Sequence, residues 1–373
     1  MAGRQGFPRE RTFLRVSEPV FSSWRPRSPE PEQNFPATES GHWDRAVLAA
    51  QPGAHFMQSA AWAQFRSASP WKAVQSSARL PDGETFPFQR FLRRVPGLGV
   101  LHHAPRVAGI DAPFVGAFSE RVRALSGSNA LAFKLELYQP HGELVQTFLD
   151  HGWRVTRESQ YRNAVAVDLR GSAESLLASV KSRARYEIRV AERNNVTVQQ
   201  VPLTAANIDL MLTLVTTTAE RSGAFFRSPA YLTSSWRVFA ARDQGRLYFA
   251  SHEGEVLAGA FVFTFGTTGW YKDGGSTRAK SGVMAPRYLQ WHIMRDLQAQ
   301  GFHRYELGNI PAPATAQESP MWGLYKFKTA FAQSQQEYMP ALEYPLSRRY
   351  PLWQTSEPAL LRLHSSLRRD YWY

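Results

Sequence analysis

Four runs decide how this chain folds: Gly269-Trp-Tyr-Lys-Asp-Gly-Gly-Ser276, Ala285-Pro-Arg-Tyr-Leu-Gln-Trp291, Tyr305-Glu-Leu-Gly-Asn309 and Gly323-Leu-Tyr-Lys-Phe-Lys-Thr-Ala-Phe331. Val262, Phe263, Phe265, Trp270 and Tyr271 are β-favouring residues, so a strand is expected to end at Gly269–Tyr271. Ser276–Ala285 reads as a small, polar loop. Pro286 opens a helix, because the first-turn N–H has no partner to lose. Leu289, Ile293, Met294 and Leu297 give that helix an apolar stripe, which Gly301 stops. Phe302–Leu307 returns as a short strand, Gly308 and the Pro311/Pro313 loop follow, and Lys326–Phe331 makes a basic-aromatic turn. Strand, polar loop, helix, strand is an open α/β unit.

These residues resemble the C-terminal half of the FemA/FemB/FemX family, aminoacyl-tRNA-dependent transferases that build peptidoglycan cross-bridges. The resemblance rests on Gly274–Ser276, Ala285–Trp291, Leu307–Gly308, and Gly323 with Phe327, Lys328 and Phe331. Two further blocks fit in order: Phe56–Trp62 with Phe65 and Arg66, then Arg162, Asn163, Val167–Leu169, Leu176, Leu177 and Lys181 to Arg193. Together they cover roughly residues 41–345. The resemblance implies two tandem acetyltransferase-like (GNAT) domains, each a mixed central sheet flanked by helices. The chain has no heptad insertion that would make a helical-hairpin arm, so the compact FemX-like form is expected.

Length and composition agree with that size. At 373 residues the chain has room for two domains, and 43% hydrophobic residues is ordinary for a globular protein. It contains no cysteine, which excludes a disulfide framework, a thiolate nucleophile and Cys-ligated metal. No apolar run is long enough to span a membrane. Arg4, Arg9 and Arg11 have no apolar core behind them, so the start does not read as a signal peptide and a cytoplasmic protein is expected. The net charge of +13 suits a phosphate-rich partner such as tRNA, a nucleotide or lipid pyrophosphate, or an anionic leaflet. It also fits a basic protein with no such partner.

Along the chain, residues 1–40 are rich in Pro, Ser, Glu and Arg and read as a disordered tail. Residues 41–160 carry two short helices, a hairpin across Pro81-Asp82-Gly83, and strand–helix–strand elements. Residues 161–310 repeat that succession, with one long helix expected over Ser172–Asn194. The first domain is expected to run over 41–160, completed by 311–345 as the resemblance implies, and the second over 161–310. Residues 346–373 set Arg348, Arg349, Arg362, Arg368 and Arg369 among Leu360, Leu361, Leu363, Leu367, Tyr371 and Trp372. That pattern fits a basic tail helix, lying on the inner membrane leaflet or packed on the domain.

The reaction implied by the resemblance joins an aminoacyl group from aminoacyl-tRNA to the side-chain amine of the third residue of a muramyl-pentapeptide precursor, UDP-linked or lipid-linked. An ester is already activated, so the enzyme needs chiefly to position the partners, stabilise an oxyanion and remove a proton. The family's oxyanion-stabilising lysine falls on Lys328, beside Phe327 and Phe331, whose rings would exclude water. Lys326 is the nearby alternative. The family's precursor-binding Arg and Tyr fall on Arg227 and Tyr231, at a helix entry where guanidinium and phenol can share a phosphate. Arg66 stands where the family has a phosphate-binding lysine, a departure that trades a point charge for a planar fork.

Tyr271 and Ser276 are placed to line the acceptor channel, and Asp273 stands where the family more often has Tyr. That Asp suits either a stem-peptide amine or a turn cap. Lys181, Arg185 and Arg189 share one helical face that could track tRNA phosphates or simply be solvated. No His spacing suggests a metal, and no cofactor is expected beyond aminoacyl-tRNA as co-substrate. A monomer is expected.

The rival enzyme is an acyl-CoA N-acyltransferase. Its phosphate loop would follow an Arg/Gln-x-x-Gly-x-Gly/Ala pattern, which Arg278–Ala285 misses at Ala279 and Met284. The non-enzyme rival is a basic RNA-binding or membrane-surface protein.

Overall fold

The computed structural model describes residues 40–51, 53–222, 227–332, 334–368 and 372–373. The Pro-rich segment 1–39, Phe226, Arg369 and Tyr371 lie outside them. Helices α1 (Ser40–Ala50) and α2 (Ala60–Ser67) lead into three antiparallel strands, β1 (Lys72–Arg79), β2 (Thr85–Val95) and β3 (Gly99–Val107). Helix α3 (Ala112–Ala124) then crosses over so that β4 (Ala130–Leu137) runs parallel to β3. A parallel pair needs such a crossover, whereas the β1–β2 turn at Pro81-Asp82-Gly83 closes directly. α4 (Leu144–Asp150) and the short β5 (Arg154–Val155) end this half.

The second half begins with β6 (Asn163–Asp168), α5 (Ala173–Ser179), α6 (Ser182–Arg193), β7 (Thr197–Val201), α7 (Ala205–Ser222) and α8 (Pro229–Ala240). The same device then recurs: antiparallel β8 (Gly245–His252), β9 (Glu255–Phe265) and β10 (Thr268–Ser276), crossover α9 (Ala285–Ala299), and β11 (Arg304–Asn309) parallel to β10. α10 (Trp322–Lys328), β12 (Gln335–Glu337), β13 (Leu342–Pro345) and α11 (Tyr350–Arg368) complete the chain. Among the described residues the strand orders are β1-β2-β3-β4-β13-β5 and β12-β6-β11-β10-β9-β8-β7. Both sheets are mixed and flanked by helices, as expected.

An apolar core joins the two halves. The Phe56 ring lies 5.2 Å from Phe263 and 5.3 Å from Trp270, across the boundary between the sheets. Close-packed aromatics of this kind hold two sheets as one body rather than as hinged domains.

Three expectations need correction. The helix over Ser172–Asn194 is two helices. Val180 between them is extended, with ψ 136°, and the next N–H, that of Lys181, donates to Ala330 O at 2.9 Å. A tertiary partner therefore outcompetes helical continuity. The segment 311–345 does not return to the first half as a unit, because β12 pairs with β6 and only β13 adds to β4. β10 does not end at Gly269–Tyr271 but runs on to Ser276. Of the two readings of the C-terminal helix, the structure has the one in which it packs on the domain. It buries Tyr350, Trp353 and Glu357 and rests Leu360 and Leu361 on the shared core, leaving Leu352, Leu363 and Leu367 exposed.

Gly275 explains the glycines at that strand end. A Cβ there would lie 2.3 Å from the carbonyl carbon and oxygen of Leu214 in α7, backbone atoms that cannot swing aside. Gly275→Ala is expected to cost about 1–3 kcal/mol through overpacking, read as a lower midpoint in urea unfolding. An unchanged midpoint would mean that α7 can move away freely.

Candidate active site

The site arises where strands part. β10 and β11 pair at Thr268↔Arg304, Gly269↔Tyr305 and Trp270↔Glu306, and pairing stops there. Each strand also shifts register against its outer neighbour just beyond, at Tyr271/Asp273 and at Glu306/Gly308. Bulges re-aim side chains and free backbone. The result is a cavity of about 330 Å³ with Tyr271, Lys272 and Asp273 on one lip and Gly308 and Asn309 on the other. The first half closes it with His55, Arg66, His103, Gln160 and Tyr161.

Four of the expected substrate residues meet here: Arg66, Arg227, Tyr231 and Tyr271. Arg66, on α2, is only 7% exposed, and its guanidinium lies over the rings of Trp62 and Trp71 at 6.0 and 5.6 Å. Ser59 caps α2 by accepting the Trp62 N–H at 3.2 Å, which sets the helix that aims Arg66. Ser228 caps α8 in the same way through the Tyr231 N–H at 3.2 Å, with Pro229 in the first turn. Arg227 precedes that cap, 4.6 Å over the Tyr231 ring, and donates to Tyr373 O at 3.0 Å. Tyr373, beyond the end of α11, lines the cavity too and supplies part of the wall. Burial and the Asp273 charge push the Tyr271 phenol up, so it stays protonated as a donor.

Asp273 caps no turn. It sits at the bulge, accepts from Trp236 Nε1 at 2.8 Å and from Lys272 Nζ at 3.3 Å, and faces the cavity. Ser276 is elsewhere: its N–H donates to Thr218 Oγ1 at 2.9 Å and its carbonyl accepts from Arg221 at 2.8 Å, at the far end of β10.

Lys328 lies just behind the Gly308–Asn309 lip, buried, with Nζ donating to Asn309 O at 2.8 Å. Burial pushes its pKa down to about 7, with Glu306 pulling the other way. Phe327 is not in the cavity. Arg287 of the Ala-Pro-Arg run stacks over its ring at 4.5 Å, donates to its carbonyl at 2.6 Å, and pairs with Glu187 at 2.7 Å. Arg287 thereby fixes the helix that carries Lys328.

Glu306 anchors the lip from below. It is fully buried and accepts from Tyr138, from Tyr161 at 2.5 Å and from Tyr338 at 2.7 Å, with the Arg304 guanidinium 3.6 Å away. Sequence reasoning missed this carboxylate, and the Tyr-Glu-Leu-Gly run was its only signal.

The tRNA candidates lie on another face. Lys181 and Arg189 are exposed, but Arg185 turns back to donate to Ala178 O at 3.2 Å and Val180 O at 2.5 Å, bracing the break between α5 and α6. Among the described residues no group of His, Asp and Glu has the makings of a metal site, and no helix is long and apolar enough to cross a membrane.

A family model described as an acetyltransferase (GNAT) domain matches residues 178–326. The UDP-N-acetylmuramoylpentapeptide-lysine N(6)-alanyltransferase of Weissella viridescens is 27% identical over 228 residues, which is 57% of this chain and 65% of the relative. A crystal structure of FemX superposes with a TM-score of 0.74 at 18% identity, over 87% of this chain and 99% of that one. The chain is similar to the Fem transferases in sequence and in fold. The match to the alanyltransferase spans less than two thirds of that relative's own length. The C-terminal domain of a putative lysylphosphatidylglycerol synthetase from Agrobacterium fabrum has the same broad fold, with a TM-score of 0.50 at 16% identity over 87% of this chain and 96% of that one. The Fem-like architecture thus carries the cavity between its two sheets.

Proposed function

We propose that this Fem-like protein transfers an aminoacyl group from aminoacyl-tRNA to the side-chain amine of the third residue of a muramyl-pentapeptide precursor. The observation that carries the reading is the cavity itself. It gathers Arg66 and Arg227 from opposite halves, with Lys328 behind the lip where β10 and β11 part. Two guanidiniums in one partly dry cleft suit the diphosphate of a nucleotide-linked or lipid-linked precursor. A lysine at the lip suits a carbonyl oxygen that gains charge during acyl transfer. Tyr231 and Tyr271 add phenolic donors beside them. The exposed Lys181 and Arg189 supply charge for tRNA phosphates, a contribution that salt would weaken.

The test is incubation of purified protein with a mixed radiolabelled aminoacyl-tRNA pool and UDP-linked muramyl-pentapeptide. The relative's name makes alanine and a lysine-containing acceptor the first pair to examine. Label in the precursor that resists mild base, and that disappears when the tRNA is first digested, is the expected result. Transfer only to a lipid-linked acceptor would change the substrate form, and transfer only from acyl-CoA would overturn the reading.

Arg227→Ala is expected to weaken precursor binding about 10- to 100-fold, the worth of one charge-assisted hydrogen bond, with a smaller change in kcat. Isothermal calorimetry with the UDP-linked precursor reads this directly. An unchanged affinity would remove Arg227 from the binding site.

A further inference from the structure

The first half of the chain puts on the cavity wall a titratable dyad that none of the motifs announced. His103 on β3 pairs in register with Lys134 on β4, so Glu136, two residues on, projects from the same face of the sheet. His103 Nε2 lies 2.9 Å from Glu136 Oε2. The same carboxylate accepts the backbone N–H groups of Ser159 at 2.7 Å and Gln160 at 2.8 Å, and the Ser159 hydroxyl at 2.7 Å. Burial works against ionisation of Glu136. The hydrogen bond from His103 and the nearby Lys134 and Arg106 charges nevertheless hold it well below the usual carboxylate range.

An ionised carboxylate at Nε2 fixes the tautomer, because only an N–H can bond to it there. The lone pair of neutral His103 is then on Nδ1. No described residue donates to Nδ1, the atom is not sealed in the core, and the ring lines the cavity. Burial lowers the His103 pKa, Glu136 raises it, and Lys134 and Arg66 lower it further, so the ring is neutral at pH 7. Trp71 and Tyr373 flank it with rings 5.8 and 5.3 Å away.

The other candidates in the cavity are spent. The Asp273 oxygens are engaged by Trp236 and Lys272. His55 uses Nδ1 to accept the Met57 N–H at 3.1 Å. Lys328 is needed in its charged form. Ser159 is no nucleophile, because its proton points at Glu136 rather than at the imidazole.

We propose that His103, oriented by Glu136, accepts the proton of the attacking amine. The proposal rests on the transferase reading. The amine, bound as free base, forms an N–C bond to the ester carbonyl, whose oxygen becomes the oxyanion near Lys328. The surplus proton on nitrogen moves to His103 Nδ1. As the intermediate collapses, the C–O bond to the tRNA ribose breaks and the departing hydroxyl oxygen takes that proton back. Amine and ester become amide and alcohol, and His103 ends as it began.

The experiment compares wild type, His103→Ala, His103→Gln and Glu136→Gln, with folding checked by circular dichroism. Transfer to the UDP-linked precursor is followed from pH 5 to 9 alongside precursor affinity by calorimetry. Both His103 variants are expected to lose about 10²-fold in kcat with affinity within threefold of wild type. Added imidazole restores part of the rate to His103→Ala, and the acid limb of kcat/KM, below pH 6.5 in wild type, disappears. Glu136→Gln moves that limb to still lower pH and slows the reaction. If His103→Ala unfolds, the pH profile of His103→Gln decides alone. Wild-type rates and profile in the variants overturn the dyad while the transferase reading stands. Lost activity with lost affinity and no imidazole rescue reduces His103 to a structural role. A wild type that transfers to no precursor removes the reading and the dyad together.

Discussion

Lys328→Met is expected to lower the rate of aminoacyl transfer by 10²- to 10³-fold, the usual loss when one preorganised oxyanion donor is removed. The buried ammonium is useful because little water competes with the developing charge at the Gly308–Asn309 lip. Methionine keeps the length of the side chain and discards the charge. With a pKa near 7, Lys328 also sets an alkaline limb: the rate falls as pH rises through about 7 and the cation is lost.

Stability carries the opposite signature. The lysine pKa falls from 10.5 when unfolded to about 7 when folded, so the unfolded chain binds the proton more tightly between those values. The burden on the native state is absent above pH 10.5, grows as pH falls, and is complete below 7. It amounts to roughly 3–5 kcal/mol, part of which Lys328→Met gives back by leaving the Asn309 carbonyl without its donor. Urea unfolding at several pH values should show the wild type gaining on the variant between pH 7 and 10.5. A parallel pair of curves would mean that Nζ is hydrated in the native state. Full transfer activity in Lys328→Met would end its catalytic assignment, and the transferase itself would still be measurable.

Glu306→Leu is expected to be the most damaging single change to stability. It strands three buried phenols and the nearby Arg304 charge, a loss of about 3–5 kcal/mol. A fall in Tm of about 5–15 °C by scanning calorimetry would match. Tyr138 and Tyr161 come from the first half of the chain and Tyr338 from the return to it, so the same carboxylate ties the halves together under the cavity.

The milder Glu306→Gln separates charge from packing. Glu306 raises the Lys328 pKa, so the amide lets it drop further and moves the alkaline limb of activity to lower pH. A limb that stays in place would remove Glu306 from the electrostatics of Lys328 and leave it a purely structural role.

Much of the secondary structure was legible. The hairpin across Pro81-Asp82-Gly83 and the helix that Pro286 opens form as their residues predict. These are local matters, governed by side-chain branching, turn residues and terminal hydrogen bonds within a few positions. Arg66, Arg227, Tyr231 and Tyr271 were legible because each belongs to a short motif whose neighbours fix its direction.

The split at Val180 was not legible, because the partner of the next N–H, Ala330, is remote in sequence. Ser276 and Phe327 were misjudged for a related reason: motif order placed them near the chemistry, and only packing showed which way they face. His103 and Glu136 belong to no motif, and Glu306 showed only as part of the Tyr-Glu-Leu-Gly run. Each sits in a strand whose pattern reads only as half-buried, and each acquires its meaning from partners that the chain keeps far away in sequence. The sequence alone therefore determined the elements, their order and the residues that announce themselves by motif. The tertiary structure alone decided which buried charges meet, because parallel register and strand bulges bring together atoms that the chain keeps far apart.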